Sequence, residues 1–314
     1  MKIYKSSYYL VAFFAFLTVL LYIYSWNTQP TDGATWVIVK DTAVVRKVPS
    51  GSAGDNAGLR IGDRILSVDG HRAELHFTHQ MFYRYSAVGS TVEYRVLRDG
   101  AIITFPVTLE SIWSTSPIYF IFYYCLIFSI LIIGVFVLLR RFEDPSARIF
   151  FVFTQLFGIG IIGSGTGFNI LGLFEWSFFG FAMTFLGPVL FNFFMLFPER
   201  QKIINRYPKL PKILYVVSLP LWCFGIITPI LWAIYNTSKY EEIAWISFGI
   251  VVIWMGLNLI GAVVLAVRRF FMKRESPGYN QLRWVMIGML FGIIPHIIFG
   301  MIPWLAWSVA EKNP

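Results

Sequence analysis

Long uncharged stretches constrain this chain more than any other feature of its sequence. Outside residues 32–110, the chain consists of apolar runs separated by short charged loops. Each run is long enough to cross the roughly 30 Å hydrocarbon core of a bilayer as a helix. Hydrophobic residues make up 57% of the 314 residues and charged residues only 14%. This composition excludes an ordinary soluble protein, a disordered chain and a collagen-like chain.

Seven apolar runs predict a polytopic helical bundle of about seven transmembrane helices. The first, residues 6–31, favours a retained signal anchor, with a cleaved signal peptide as the alternative. The others follow the charged segment, at residues 111–139, 149–174, 176–198, 213–238, 243–267 and 284–310. We therefore divide the chain into an N-terminal anchor (1–31), an outer domain (32–110) and a six-helix membrane region (111–314).

The loops between the runs differ sharply in positive charge, and this asymmetry predicts the orientation. Fifteen lysines and arginines fall on one side, whereas the opposite short loops and the C-terminus hold only Lys239 and Lys312. Because positive loops stay in the cytoplasm, we expect a plasma-membrane protein with a cytoplasmic N-terminus. Residues 32–110 and the C-terminus are then extracytoplasmic. The net charge of +9 thus reflects topology and predicts no nucleic-acid partner.

The outer segment predicts a small α+β domain. Residues 42–48 and 64–68 are rich in β-branched side chains, as strands are. Residues 76–88 have apolar positions at helical spacing and end at Gly89, which is typical of a helix terminus. Residues 91–97 and 101–109 flank Asp99-Gly100, a strong hairpin signal.

Two motifs in this domain resemble the bacterial PDZ family. Residues 57–70 match its "AGL-x-x-GD-x-I-x-x-V-x-G" core, and residues 89–107 match its closing hairpin. The signature residues are Gly58, Leu59, Gly62, Asp63 and Gly70. The resemblance implies peptide binding by strand addition, in a groove between residues 43–48 and helix 76–88. The groove candidates are Val44, Arg46, His79, Gln80 and Tyr83.

The same domain departs from the family in one stretch. Residues 36–41, which match the usual carboxylate-binding loop, contain no glycine. A working peptide groove and a rigid outer module without one therefore both stay open.

A second resemblance concerns the helices. Residues 190–200 end in Phe-Pro-Glu-Arg, and the whole order resembles the input half of Gram-positive pheromone-sensing histidine kinases of the competence type. The resemblance implies a membrane sensor for an extracytoplasmic signal, coupled to a two-component kinase whose catalytic core is absent from this chain. The alternative is a PDZ-bearing scaffold or protease adaptor that presents peptide termini. A transporter is disfavoured because the sequence lacks internal repeats and midplane charges.

Polar residues within the runs are candidates for a membrane pocket for a hydrophobic signal or for interhelical hydrogen bonds. They are Asn169, Asn192, Asn258 and His296. We place Glu175 in an outer loop between two runs. Cys125 and Cys223 lie in apolar runs and are expected to be small buried thiols.

Other constellations predict neither chemistry nor a cofactor. His71, His76 and His79 favour a solvated helix start over a metal site. The glycines of residues 158–163 match a dinucleotide fingerprint, but no strand precedes them, so they favour close helix packing. Ser164 and His296 lack the pattern of an intramembrane protease. The expected partners are membrane lipid, an extracytoplasmic peptide or protein terminus, a cytoplasmic signalling partner and a second copy of the chain.

Overall fold

A β-rich part lies between an N-terminal helix and a helical part that follows it in the chain. The computed structural model describes residues 2–39, 42–72, 86–115, 117–162, 170–235 and 238–272, and the isolated positions 280, 283 and 287. In chain order the elements are α1 (Lys2–Thr28), β1 (Pro30–Thr31), β2 (Thr35–Val39), β3 (Thr42–Lys47), α2 (Ala53–Ala57), β4 (Arg64–Val68), β5 (His71–Arg72), β6 (Thr91–Arg98), β7 (Ala101–Thr108), β8 (Glu110–Ser111), α3 (Ile112–Thr115), α4 (Pro117–Arg140), α5 (Pro145–Ile162), α6 (Ile170–Leu196), α7 (Lys202–Arg206), α8 (Leu210–Tyr235) and α9 (Ser238–Met272).

Several sequence predictions fall outside the described residues. These are most of helix 76–88 and nearly all of the last apolar run, 284–310. The candidate site residues outside the described part are His79, Gln80, Tyr83, Asn169 and His296.

Six helices in the described part of the chain, α1, α4, α5, α6, α8 and α9, are long and apolar enough to cross a membrane. They correspond to the first six predicted runs. Their outer surfaces carry large apolar side chains, such as Phe122, which is 73% exposed. Cys125 and Cys223 are also exposed, so the expectation of buried thiols is wrong. The sequence could not show which face of each helix points outward.

The boundary between the third and fourth helices differs from the prediction. Helix α5 ends at Ile162 and α6 begins at Ile170, so Glu175 lies inside a helix and its side chain is fully buried. The expected outer-loop position was wrong. The prediction ended one helix and began the next at Glu175, the only charged residue in this stretch. A carboxylate can nevertheless lie within a helix when neighbouring helices enclose it.

Small residues allow the helices to pack closely. A Cβ atom on Gly158 would lie 2.6 Å from Leu131 of α4, and one on Gly160 would lie 2.8 Å from Met183 of α6. The prediction that these glycines serve packing is confirmed. A Cβ on Gly187 would lie 2.6 Å from the backbone oxygen of Met255 in α9. A larger residue at Gly187 would meet backbone that cannot rotate away, whereas at Gly158 and Gly160 the neighbouring side chains would have to shift.

The segment 32–110, called the outer domain after its predicted side of the membrane, is built on one antiparallel sheet with strand order β2-β3-β4-β6-β7, and β5 pairs with β4. Alternate residues point to one face and form the core, as the period of two in a strand requires. The buried core residues are Ala34, Ala43, Val45, Ala53, Leu59, Ile65, Val68, Val92, Tyr94, Val96, Val107 and Leu109. The hairpin of β6 and β7 turns at Asp99-Gly100, both with positive φ, as the sequence predicted.

Candidate functional site

Strand β2 is an edge of the sheet. It pairs only with β3 among the described strands, in the register Trp36↔Val45, Val37↔Val44 and Val39↔Thr42. Val39 is 40% exposed. An unpaired strand edge offers a row of backbone donors and acceptors to an incoming chain.

The register shows which backbone groups of β2 face outward. Val39 and Thr42 close a two-residue connection, so they form a hydrogen-bonded pair in which both N–H groups point into the ladder. Because hydrogen-bonded and non-hydrogen-bonded pairs alternate along an antiparallel ladder, the N–H and C=O of Ile38 point to the free edge.

The opposite edge of the sheet is less suited to strand addition. Strand β7 carries Pro106 opposite Glu93 of β6, and a proline has no N–H to give to a further strand. Helix α2 also packs against β7. Of the two edges, β2 is therefore the one with an uninterrupted backbone.

The predicted groove was assigned to the wrong strand. Val44 and Arg46 belong to β3, which lies inside the sheet between β2 and β4. An interior strand cannot accept a further strand along its length. Val44 is half-buried and Arg46 exposed, and both face away from the core, so a role for their side chains stays a prediction. The motif carries no information about strand order, because strand order depends on pairing between segments that are far apart in the sequence.

The PDZ-like signature forms a structural cluster. Gly58 caps α2 with φ +92°. Asp63 is nearly fully buried and accepts hydrogen bonds from the Arg60 backbone (2.8 Å) and from Arg98. Arg98 also donates to the carbonyl of Gly58 (2.7 Å).

The remaining signature positions shape turns and core. Leu59 is 3% exposed and belongs to the hydrophobic core. Gly62 and Gly70 have φ values of +92° and +75°, which side chains other than glycine rarely adopt. These residues therefore set the fold.

Asp32 is a central residue that the sequence reasoning missed. Its side chain is fully buried and accepts hydrogen bonds from Ala34 N (2.9 Å), Trp36 Nε1 (3.2 Å) and Tyr94 OH (2.9 Å). Its carbonyl accepts from Gly54 N at 2.7 Å. The carboxylate therefore fixes the start of β2 against the core. A lone aspartate after an apolar run gives no local sign of these distant partners.

The first and last strands of the outer domain pair with each other. In the antiparallel pair β1–β8, Pro30 lies opposite Ser111 and Thr31 opposite Glu110. The Ile112 N–H also donates to the carbonyl of Gln29 (3.1 Å). This pairing joins the end of α1 to the start of α3, so the two ends of the domain meet at a two-stranded junction.

The two described membrane-pocket candidates both donate hydrogen bonds within the helical part of the chain. Asn192 of α6 donates to the Tyr215 hydroxyl of α8 at 2.8 Å. Asn258 donates to the carbonyl of Trp254 within α9 (2.9 Å). Both side chains are nearly buried. The interhelical interpretation therefore holds for Asn192, while the bond of Asn258 lies within its own helix.

Glu175 lies among polar groups of α1 and α4. Its backbone carbonyl accepts from the Tyr22 hydroxyl at 2.9 Å, and Ser25 lies beside its side chain. In the described part of the chain, neither carboxylate oxygen has a hydrogen bond of ordinary geometry. The buried Tyr124 hydroxyl and Trp26 indole N–H likewise have none there.

The Phe-Pro-Glu-Arg motif forms a contact between α6 and α9. Arg269 is 7% exposed and donates to the Glu199 carboxylate at 2.8 Å and to the Glu199 carbonyl at 2.5 Å. The Phe197 ring stacks on Phe193 one turn earlier. The motif thus closes one end of the bundle by an ion pair.

Among the residues described, no group of three potential metal ligands occurs.

Comparison with known proteins supports the identity of the outer domain. Residues 31–109 match the PDZ domain family. The match ends before the helices that follow, and nothing in the comparisons relates the chain to a histidine kinase. No curated protein matches the chain.

Solved structures of HtrA-type proteases are similar to part of the chain. The HtrA-type protease AlgW with a decapeptide is 17% identical, with 27% of this chain and 30% of that chain covered and a TM-score of 0.25. The same protease with a tripeptide is 18% identical, with coverages of 26% and 32% and a TM-score of 0.24. A serine endoprotease from Yersinia pestis is 24% identical, with coverages of 27% and 30% and a TM-score of 0.23. The chain spans about a third or less of the length of these proteins.

Proposed function

We propose that this protein is a membrane-embedded peptide-binding module whose outer domain accepts an extended protein segment along β2. The single observation that carries the proposal is the edge of β2, which contains no proline and pairs only with β3 among the described strands, in a domain that matches the PDZ family. PDZ domains bind extended peptides by adding a strand to such an edge. The scaffold or adaptor role follows directly from this chemistry.

The six apolar helices support a location in the membrane. The concentration of lysine and arginine in alternate loops supports an extracytoplasmic position for the PDZ-like domain. Homodimerisation and a cytoplasmic signalling partner stay predictions. The proposal includes no kinase, because a kinase role is supported only by the resemblance that includes the Phe-Pro-Glu-Arg motif.

A test of strand addition uses the outward N–H of Ile38. The full chain in lipid nanodiscs is panned with a phage library of random heptapeptides, with empty nanodiscs for counter-selection. Selected peptides are labelled with fluorescein, and their Kd is measured by fluorescence polarisation. We expect Ile38→Pro to weaken binding by about tenfold or more, because it removes one intermolecular hydrogen bond and blocks approach of the new strand.

The matched control is Ile38→Ala, which shortens the same side chain but keeps the N–H. We expect this variant to stay within about threefold of the wild-type Kd. Proline at an edge position with an outward N–H leaves the internal ladder intact. Equal binding by Ile38→Pro and Ile38→Ala would show that β2 does not receive the peptide.

A receptor role is the second candidate, and the β1–β8 junction favours it. Because both ends of the domain meet there, a force on the domain reaches α1 and α3 together. Peptide occupancy could then bias the positions of the helices. Spin labels at Lys5→Cys and Lys209→Cys, in a chain with Cys125 and Cys223 replaced by serine, would report this. An unchanged distance distribution on adding a selected peptide would leave only the scaffold role.

A further inference from the structure

The residues at the start of β2 determine whether the domain can bind a segment that ends there in a free C-terminus. Every pairing in the sheet is antiparallel, so we take an added strand to run antiparallel to β2. The C-terminal end of that strand then lies beside the residues that precede β2, which are Asp32, Gly33 and Ala34. A free C-terminus would place its carboxylate there.

The backbone donors at this position already have partners. The Gly33 N–H donates to Thr31 Oγ1 at 3.0 Å, and the Ala34 N–H donates to Asp32 Oδ1 at 2.9 Å. The indole N–H of Trp36 is bonded to Asp32 Oδ2. Capture of a carboxylate needs several N–H groups turned toward it. Here the carboxylate of Asp32 takes two of these donors and Thr31 takes the third.

On the inner side of the loop at Gly33, neighbouring side chains leave no space for a further group. A Cβ on Gly33 would lie 2.6 Å from the Cβ of Ser52 and 3.3 Å from Oε1 of Glu110. Glu110 Oε1 is held there by the Ala53 N–H at 3.1 Å. Two carboxylates, of Asp32 and Glu110, therefore border Gly33. A further carboxylate at the same place meets like charges, which disfavour it by electrostatics.

We infer that the domain binds an internal extended segment of a protein and rejects a free C-terminal carboxylate. This inference rests on the proposed strand addition at β2, and it narrows the ligand class. The chain of the ligand continues past Asp32 and presents a neutral peptide group there. The ligand is then an extended loop or unfolded segment of another protein, and proteolytic exposure of a new C-terminus is not needed.

The test uses the peptides selected with the nanodisc-embedded full chain. Each is resynthesised as the free acid, as the C-terminal amide and with Gly-Ser-Gly added at both ends. We expect the free acid to bind at least about tenfold more weakly than the other two forms, because like charges at an interface are strongly unfavourable. We expect the amide and the extended peptide to agree within about threefold.

Two variants test the cause of the discrimination. Asp32→Asn keeps a hydrogen-bond acceptor and removes the charge, and Glu110→Gln does the same at the other side of Gly33. In each variant we expect the Kd of the free acid to exceed the Kd of the amide by only about threefold. If the free acid binds as tightly as the amide in the wild type, the inference fails and strand addition stands. If no form binds, or if Ile38→Pro has no effect, the proposed function fails as well.

Discussion

Arg98 holds the buried carboxylate of Asp63 through two hydrogen bonds, 2.7 Å from Nε to Oδ1 and 2.6 Å from a terminal nitrogen to Oδ2. The pair joins β6 to the turn before β4. Asp63 is 2% exposed and Arg98 17%, so solvent screens the contact little. Bidentate pairs of this geometry are among the stronger polar contacts in proteins.

Replacement of Arg98 by methionine is expected to destabilise the outer domain by about 3 kcal/mol, because it leaves a buried carboxylate without its cation. Hydrogen exchange of β4 and β6, followed by mass spectrometry on the full chain, measures the loss. The matched control is Arg95→Met, on an exposed position of the same strand. Equal protection in both variants would contradict a stabilising role for the pair.

The pH dependence of this contact follows from the arginine. The hydrogen bond to Asp63 raises the pKa of Arg98 above its ordinary value. A group with a raised folded-state pKa contributes stability that is present below the unfolded pKa and is lost only as pH rises through the folded one. Both pKa values lie far above neutral pH, because arginine keeps its charge in proteins. The difference in unfolding free energy between wild type and Arg98→Met should therefore not change through deprotonation of Arg98 between about pH 7 and 9.

Local signals were sufficient for much of the outer domain. The Asp99-Gly100 turn fixed the β6–β7 hairpin, and strand 64–68 has the predicted bounds. The groove was assigned to β3 because the sequence does not show that β2 lies outside it. Asp32 was missed because two of its partners, Tyr94 and Gly54, are distant in the sequence. Glu175 was placed in a loop because its enclosure depends on how α1 and α4 pack against α6.

Close packing of α6 and α9 is expected to be sensitive at Gly187. Gly187→Ala places a methyl group against the backbone oxygen of Met255, which cannot rotate away as a side chain can. We expect a loss of roughly 1–3 kcal/mol, measured by thermal unfolding of the full chain in nanodiscs. Gly256→Ala, in open space on α9, is the control. It should be neutral or stabilising by up to about 1 kcal/mol, and a similar loss there would contradict the packing argument.

Glu175 and Glu199 are expected to respond oppositely to the same substitution. Glu175→Met removes a buried carboxylate whose oxygens have no hydrogen bond of ordinary geometry in the described part of the chain. Replacing buried charge by an apolar side chain is often neutral or stabilising by about 1–4 kcal/mol. Glu199→Met breaks the contact with Arg269 and should destabilise. Unfolding temperatures in nanodiscs measure both, and a lower unfolding temperature for Glu175→Met would show that the buried carboxylate stabilises the fold.

The charge asymmetry of the loops gives the last prediction, because it decides which compartment supplies the ligand. In a chain with Cys125 and Cys223 replaced by serine, Arg95→Cys puts a thiol on an exposed position of β6, and Lys209→Cys puts one on the exposed segment before α8. Positive loops stay in the cytoplasm, so a membrane-impermeant maleimide should label Arg95→Cys on intact cells. Lys209→Cys should react only after permeabilisation. The reverse pattern would place the PDZ-like domain in the cytoplasm, and its ligands would then be cytoplasmic proteins.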